Sequence, residues 1–272
     1  MQLTISLIAS VLYAALGFHF ARTRFTLNPR RCPLLRPTWE QVAIVVPLAL
    51  HALALYHSMD IGAELNLGLG NAVSMMAFAT IVIYWLGSFV YEVEGLQALM
   101  LPVAAVCVLL PAIFPESDDL AYAALPAFRI HLFISVLAYG LFTIAAAHAL
   151  LMAFIERRLH RGAMPLMLQK LPLLTLENLL FRLIWLGFLL LTATVVSGVF
   201  FSEQMFGKPL EFNHKIVFAL LSWGIFAALL AGRAIYGWRG RTAIRWTLSG
   251  FSMLALAYLG SKFVLEVILH RH

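Results

Sequence analysis

Three histidines stand in or at the ends of apolar stretches: His51 lies deep inside one, and His131 and His214 open two others. A bilayer interior penalises an ionisable side chain by about 2.5 kcal/mol or more, so an imidazole retained there marks a pathway, a ligand or a cofactor. The chemistry open to it is proton relay, binding of a transition metal, or axial ligation of a haem iron. Six further histidines, at 19, 57, 148, 160, 270 and 272, must be weighed beside these three.

The elements that position them follow from composition. Of 272 residues, 62% are hydrophobic and 12% charged, where a soluble domain carries about 25% charged residues. The chain reads as an all-α polytopic membrane protein, one transmembrane domain over residues 1–272. Apolar runs long enough to span a bilayer fall at about 3–21, 41–58, 69–90, 96–114, 129–154, 179–201, 214–236 and 246–268, which predicts eight transmembrane helices. The N-terminal run has no basic residue before it and no small-x-small cleavage pattern, and is expected to be a retained helix. The net charge of +6 orients helices, since there is no polar basic domain to hold a nucleic acid. Arginines and one lysine crowd the loops 22–40, 155–178 and 233–245, all on one side, while Asp60, Glu64, Glu116, Asp118, Asp119, Glu203 and Glu211 occupy the other. The positive-inside rule makes the basic side cytoplasmic and both termini extracytoplasmic, in a bacterial inner membrane. Trp39, Trp85, Trp185, Trp238 and Trp246 fall near the inner boundary as an aromatic belt.

In this orientation His131 and His214 open the fifth and seventh spans at the same outer face, the arrangement that two axial imidazoles need. Arg129 and Lys215 stand beside them and suit the propionates of a haem. Phe128, Phe133, Phe200, Phe201, Phe206 and Phe212 supply apolar surface. His51 lies six residues inward of His57, a depth of about 9 Å. The plainer alternatives stay open: a histidine at a helix start is often only an interfacial polar group, His57 can reach the interface, and His148 can hydrogen-bond a neighbouring helix. His19, His160, His270 and His272 are most simply solvated. Lys262 and Glu266 are spaced to pair on one face of the last span, Arg182 can snorkel, and Glu177 with Asn178 suits the N-terminus of the sixth span. Cys32 and Cys107 form no CxxC and sit at different depths, which disfavours a disulfide.

The run from Arg129 through His131 and Ser135 to Tyr139 and Gly140 resembles the histidine-bearing helix of the CcsA cytochrome c assembly family. Asn213-His214-Lys215, Leu221-Ser222-Trp223, Gly232-Arg233 and Gly237-Trp238-Arg239-Gly240-Arg241 are similar to its C-terminal half, and most of all to the short eight-helix HemX/YpjD-like branch; Leu50-His51 also matches that branch. The resemblance covers about residues 66–270. It implies haem handling: b-type haem (heme b) held without a covalent bond in the membrane, and presented at the outer face to apocytochrome c and other assembly proteins. On that analogy His131 is the axial ligand, His51 an intramembrane site and His214 a second outer ligand. The chain departs from the larger members in its outer loop 202–213, which has no tryptophan, and in carrying Gly232 and Ser261-Lys262 where they place histidines; His214 stands where they have proline.

The expectation is therefore a haem-binding assembly factor, not an enzyme, since no nucleophile-base pair or phosphate-cradling loop occurs. Two other classes remain open. One is a transporter or transport accessory protein using buried histidines for proton or metal coupling, although neither an inverted repeat nor a matched pair of broken helices is visible. The other, which the HemX-like resemblance suggests, is a regulatory membrane subunit of tetrapyrrole synthesis, with packing histidines.

Overall fold

A computed structural model describes residues 2–25, 38–59, 66–91, 95–114, 125–160, 173–206 and 214–260. Among these, the regular structure is helical: α1 Gln2–Arg24, α2 Thr38–Ser58, α3 Leu69–Gly87, α4 Gln97–Cys107, α5 Leu110–Ile113, α6 Pro126–His160, α7 Leu173–Phe206, α8 His214–Tyr236 and α9 Gly240–Ala255, the last running into a π turn at Leu256–Gly260. Six of them, α1, α2, α3, α6, α7 and α8, are long and apolar enough to cross a membrane. In lipid only a helix satisfies its own backbone, which is why apolar runs of this length fold this way.

Two of the eight expected spans differ from a plain helix. The fourth is broken into α4 and α5 by a turn at Val108–Leu109, with Pro102 inside α4 and Pro111 in the first turn of α5. Proline removes a backbone donor and crowds the preceding turn. The Pro102 ring lies so close to α1 that a Cβ at Gly17 would stand 2.8 Å from it. In the eighth, the described part is α9 with its π turn; Lys262, Glu266, His270 and His272 lie outside the described residues. Helices α6 and α7 are longer than their apolar runs, at 35 and 34 residues, or about 50 Å against a hydrocarbon layer of about 30 Å. Charge ends a span, whereas Glu156, Arg157 and Arg158 are good helix formers and carry α6 onward.

The helices form two groups, α1–α5 and α6–α9, joined chiefly by α3 lying on α6. In the second group Phe142 of α6 stacks on Phe226 of α8 with ring centroids 4.0 Å apart. The buried Ser222 hydroxyl donates to the Gly250 carbonyl at 2.9 Å, and Tyr139 donates to the Leu254 carbonyl at 2.8 Å.

The basic-loop end holds two polar clasps that apolarity alone did not reveal. Glu177 lies inside α7, not before it, and is buried. Its carboxylate accepts from Arg233 Nη1 at 3.4 Å and from the Gly240 backbone N–H at 3.2 Å, so the helix terminus it serves is that of α9. The Trp238 ring packs on the bare backbone of Gly232, where a Cβ would overlap it, and Gly237 and Gly240 turn the chain with φ of 65° and 53°. This close approach explains why a glycine stands at 232. The second clasp joins α1 to α2. Glu40 and Arg24, both buried, form an ion pair, and His19 Nε2 lies 2.9 Å from the same carboxylate. His19, expected in solvent, is thus half-buried and partnered, because α2 brings Glu40 under it.

Candidate functional site

His131 lies one and a half turns into α6, half-buried, with its Nδ1 2.7 Å from the Ser197 hydroxyl of α7. That hydroxyl also donates to the Thr194 carbonyl, three residues earlier in α7, at 3.1 Å. A serine hydroxyl has one proton. Given to Thr194, it leaves Ser197 as acceptor toward His131, so the imidazole proton sits on Nδ1 and the lone pair on Nε2. A metal-ligating histidine needs this arrangement: one nitrogen held by an outer partner, the other offering its lone pair. The ligand chemistry of the residues present therefore fits a haem iron at His131. The surroundings are apolar, with Phe133 and Phe200 exposed on the adjoining helix surfaces, and Arg129 exposed half a turn before the histidine.

His214 is the first residue of α8 and is exposed; Lys215 beside it is half-buried. The Trp223 indole donates to Thr192 Oγ1 at 3.0 Å and stacks on Phe188, which sets the relative height of α7 and α8. Ser197 lies five residues beyond Thr192, and His214 nine residues beyond Trp223 in the same direction. At about 1.5 Å per residue, His214 sits about 6 Å farther out than the Ser197–His131 level. The structure thus brings His131 together with Ser197, and sets His214 at the rim beyond them.

His51 is enclosed in the first group. Its side chain is fully buried, with Nε2 2.9 Å from the Ser74 hydroxyl of α3, and the Tyr13 and Phe78 rings edge-on at 5.8 and 5.5 Å. Nδ1 has no partner, nor has the Tyr13 hydroxyl. An unsatisfied buried polar atom costs about 1–3 kcal/mol, so two of them on facing rings mark a place where packing is not the whole reason for the residues. The enclosure also limits the site: a macrocycle reaches His51 only if Tyr13 or Phe78 moves. The two sites are near neighbours. Phe78, which touches His51, packs in one cluster with Leu55, Met59, Phe128 and Leu132, and Leu132 adjoins His131.

The other histidines have simpler places. His148 is fully buried and donates from Nε2 to the Leu176 carbonyl at 2.8 Å, bolting α6 to the start of α7. His57 is exposed. Among the described residues no group of three or more His, Cys, Asp or Glu could hold a metal ion. Ser197 and Ser74 were not singled out from sequence. A signal existed: Thr194 and Ser197 are spaced i, i+3 in an otherwise apolar span, as are Asn71 and Ser74, and hydroxyls and amides on one helix face inside a membrane usually meet a partner.

The chain is similar to known membrane proteins. The chain is 29% identical over 242 residues to the inner membrane protein YpjD of Escherichia coli (strain K12), covering 85% of this chain and 89% of that protein. It is 36% identical over 109 residues to the cytochrome c biogenesis protein CcsA of Synechocystis sp. (strain ATCC 27184 / PCC 6803 / Kazusa), covering 40% of this chain and 33% of that one. A third match, to CcsA of Thermosynechococcus vestitus (strain NIES-2133 / IAM M-273 / BP-1), is 38% identical over 99 residues, or 36% of this chain and 31% of that protein. The family model described as cytochrome C assembly protein matches residues 39–269, a stretch that contains His51, Ser74, His131, Ser197 and His214 together. With its apolar helices crossing the bilayer several times, this multi-pass inner-membrane chain belongs to the cytochrome c assembly protein family.

Proposed function

We propose that this chain binds haem in the membrane and presents it at the extracytoplasmic face during cytochrome c assembly, as a carrier and not as a catalyst. The observation that carries the reading is the Ser197–His131 pair, which holds the imidazole by Nδ1 near the N-terminus of α6. The positive-inside rule makes that end extracytoplasmic. His131 Nε2 is the axial ligand; Arg129 and Lys215 face the propionates; His214, at the rim, is the second outer ligand. Haem is the cargo, and its iron supplies a site for imidazole nitrogen without any protein bond being made or broken. Ser197 holds the ring and its proton in place, and α6 and α7 supply apolar surface beside the iron-facing nitrogen.

His51 is a second, inner station. Its unpartnered nitrogen, fully enclosed and linked to His131 through Phe78 and Leu132, is the kind of group that a transient ligand would satisfy. Receipt of haem by apocytochrome c, with help from other assembly proteins, is the role that membership of the family supports.

The test is optical. The purified chain, made with haem in excess, should show a Soret band that His131→Ala shifts or abolishes. A chain that stays colourless under those conditions overturns the reading. Flux of protons or metal ions that depends on His51 in haem-free proteoliposomes would favour a transporter instead.

A further inference from the structure

The basic end of α1 carries a feature that haem handling does not use. Helix α1 buries Tyr13, Gly17, Phe20 and Arg24 along one face. The opposite face exposes Val11, Ala15, Phe18 and Arg22, a ladder at i, i+4, i+7 and i+11 that is apolar for two turns and then cationic. At its cationic end an open groove of about 410 Å³ is lined by Phe18, His19, Arg22 and Thr23. The Trp39 ring packs on His19 at 5.1 Å, and the Trp85 indole donates to the Gln41 carbonyl beside it. Tryptophans at this height mark the headgroup level of a bilayer.

Charge distinguishes the groove from an ordinary helix end. Arg24 and Glu40 neutralise one another in the buried layer beneath, and His19 is committed to the same carboxylate. Arg22 lies over the Phe18 ring at 5.3 Å, and among the described residues no carboxylate pairs with it. The sequence from Arg22 to Trp39 contains no acidic residue, and Glu40, which follows, is taken up by Arg24 and His19. A guanidinium offers forked donors to a phosphate, and the exposed Val11, Ala15 and Phe18 offer apolar surface to a chain of methylenes.

We propose that this face is a binding site for an anionic phospholipid, with the headgroup phosphate on Arg22 and an acyl chain along Phe18, Ala15 and Val11. The site fastens the α1–α2 end of the bundle to the leaflet, independently of any haem.

Native mass spectrometry of the full chain from mixed micelles holding equal phosphatidylglycerol and phosphatidylcholine tests it. Phosphatidylglycerol should be retained in preference, and Arg22→Gln should lower its occupancy about fivefold, one interfacial arginine's share of the attraction to an anionic surface. Arg22→Lys should retain most of it, and Phe18→Ala, which keeps the charge, should also lower it. Arg241→Gln, which removes an exposed arginine paired to Glu156, should change nothing. Equal retention of the two lipids, wild-type occupancy in Arg22→Gln, or displacement of phosphatidylglycerol by millimolar inorganic phosphate would each overturn the proposal, the last by showing a site for free anions.

Discussion

Replacing Ser197 by alanine removes one oxygen from the molecule and tests the ligand assignment without touching the ligand. The oxygen lies 2.7 Å from His131 Nδ1 and, with its own proton assigned to the Thr194 carbonyl, accepts the proton of the ring. Without it the imidazole can turn, and the tautomer with the proton on Nε2 competes with the one whose Nε2 offers a lone pair. A neutral hydrogen bond contributes about 0.5–1.5 kcal/mol net, and loss of an outer partner of a metal-bound histidine costs about 10–100-fold in affinity, or about 1.4–2.7 kcal/mol. His131 is half-buried, so water replaces part of what is lost and the lower half of that range applies: about tenfold. Titration of haem-free protein with haem, followed at the Soret band, measures it, and Ser197→Thr should recover most of the loss by restoring the hydroxyl. Affinity and spectrum unchanged in Ser197→Ala would refute the assignment of Nε2 as the iron ligand, since the ring would then owe nothing to its serine.

Two further substitutions probe the framework. Gly232→Ala drives a methyl group into the Trp238 ring, which is wedged against Trp246; overpacking of this kind costs about 1–3 kcal/mol, and a thermal unfolding midpoint equal to wild type would contradict the packing described. Arg24→Gln strands the buried Glu40 carboxylate with His19 as its remaining partner; a loss of about 3 kcal/mol is expected from removing one member of a buried pair, and the double variant Arg24→Gln, Glu40→Gln should regain much of it in the same unfolding assay.

The helical framework was legible because lipid leaves a chain few choices: an apolar run of sufficient length folds as a helix, and α1, α2, α3 and α8 lie close to the runs that announce them. What composition missed was whatever charge or proline altered. It ended the fifth span at 154 and began the sixth at 179, short of Glu156 and Glu177, although α6 and α7 run through both. It read 96–114 as one helix, where a turn at Val108–Leu109 breaks it. The tertiary partners were hidden for a different reason. Ser197 is 66 residues from His131, and Arg233 is 56 from Glu177; nothing local in either stretch says which face of one helix meets which face of the next. The histidines themselves stood out because they are costly where they are. His148 resolved to a hydrogen bond between helices, His19 turned out to be partnered where solvent was expected, His131 met Ser197, and His51 is enclosed with one ring nitrogen bonded to Ser74.

The central claim is that His131 Nε2 binds haem iron, and His131→Gly with added imidazole tests it most directly. Removing the side chain leaves a gap beside Ser197 that free imidazole can fill and in which it can take up the same two bonds. The account predicts that the purified glycine variant has lost the wild-type Soret spectrum and that imidazole restores it. A glycine variant that keeps the wild-type spectrum without imidazole would contradict the claim and place the ligand elsewhere in the bundle.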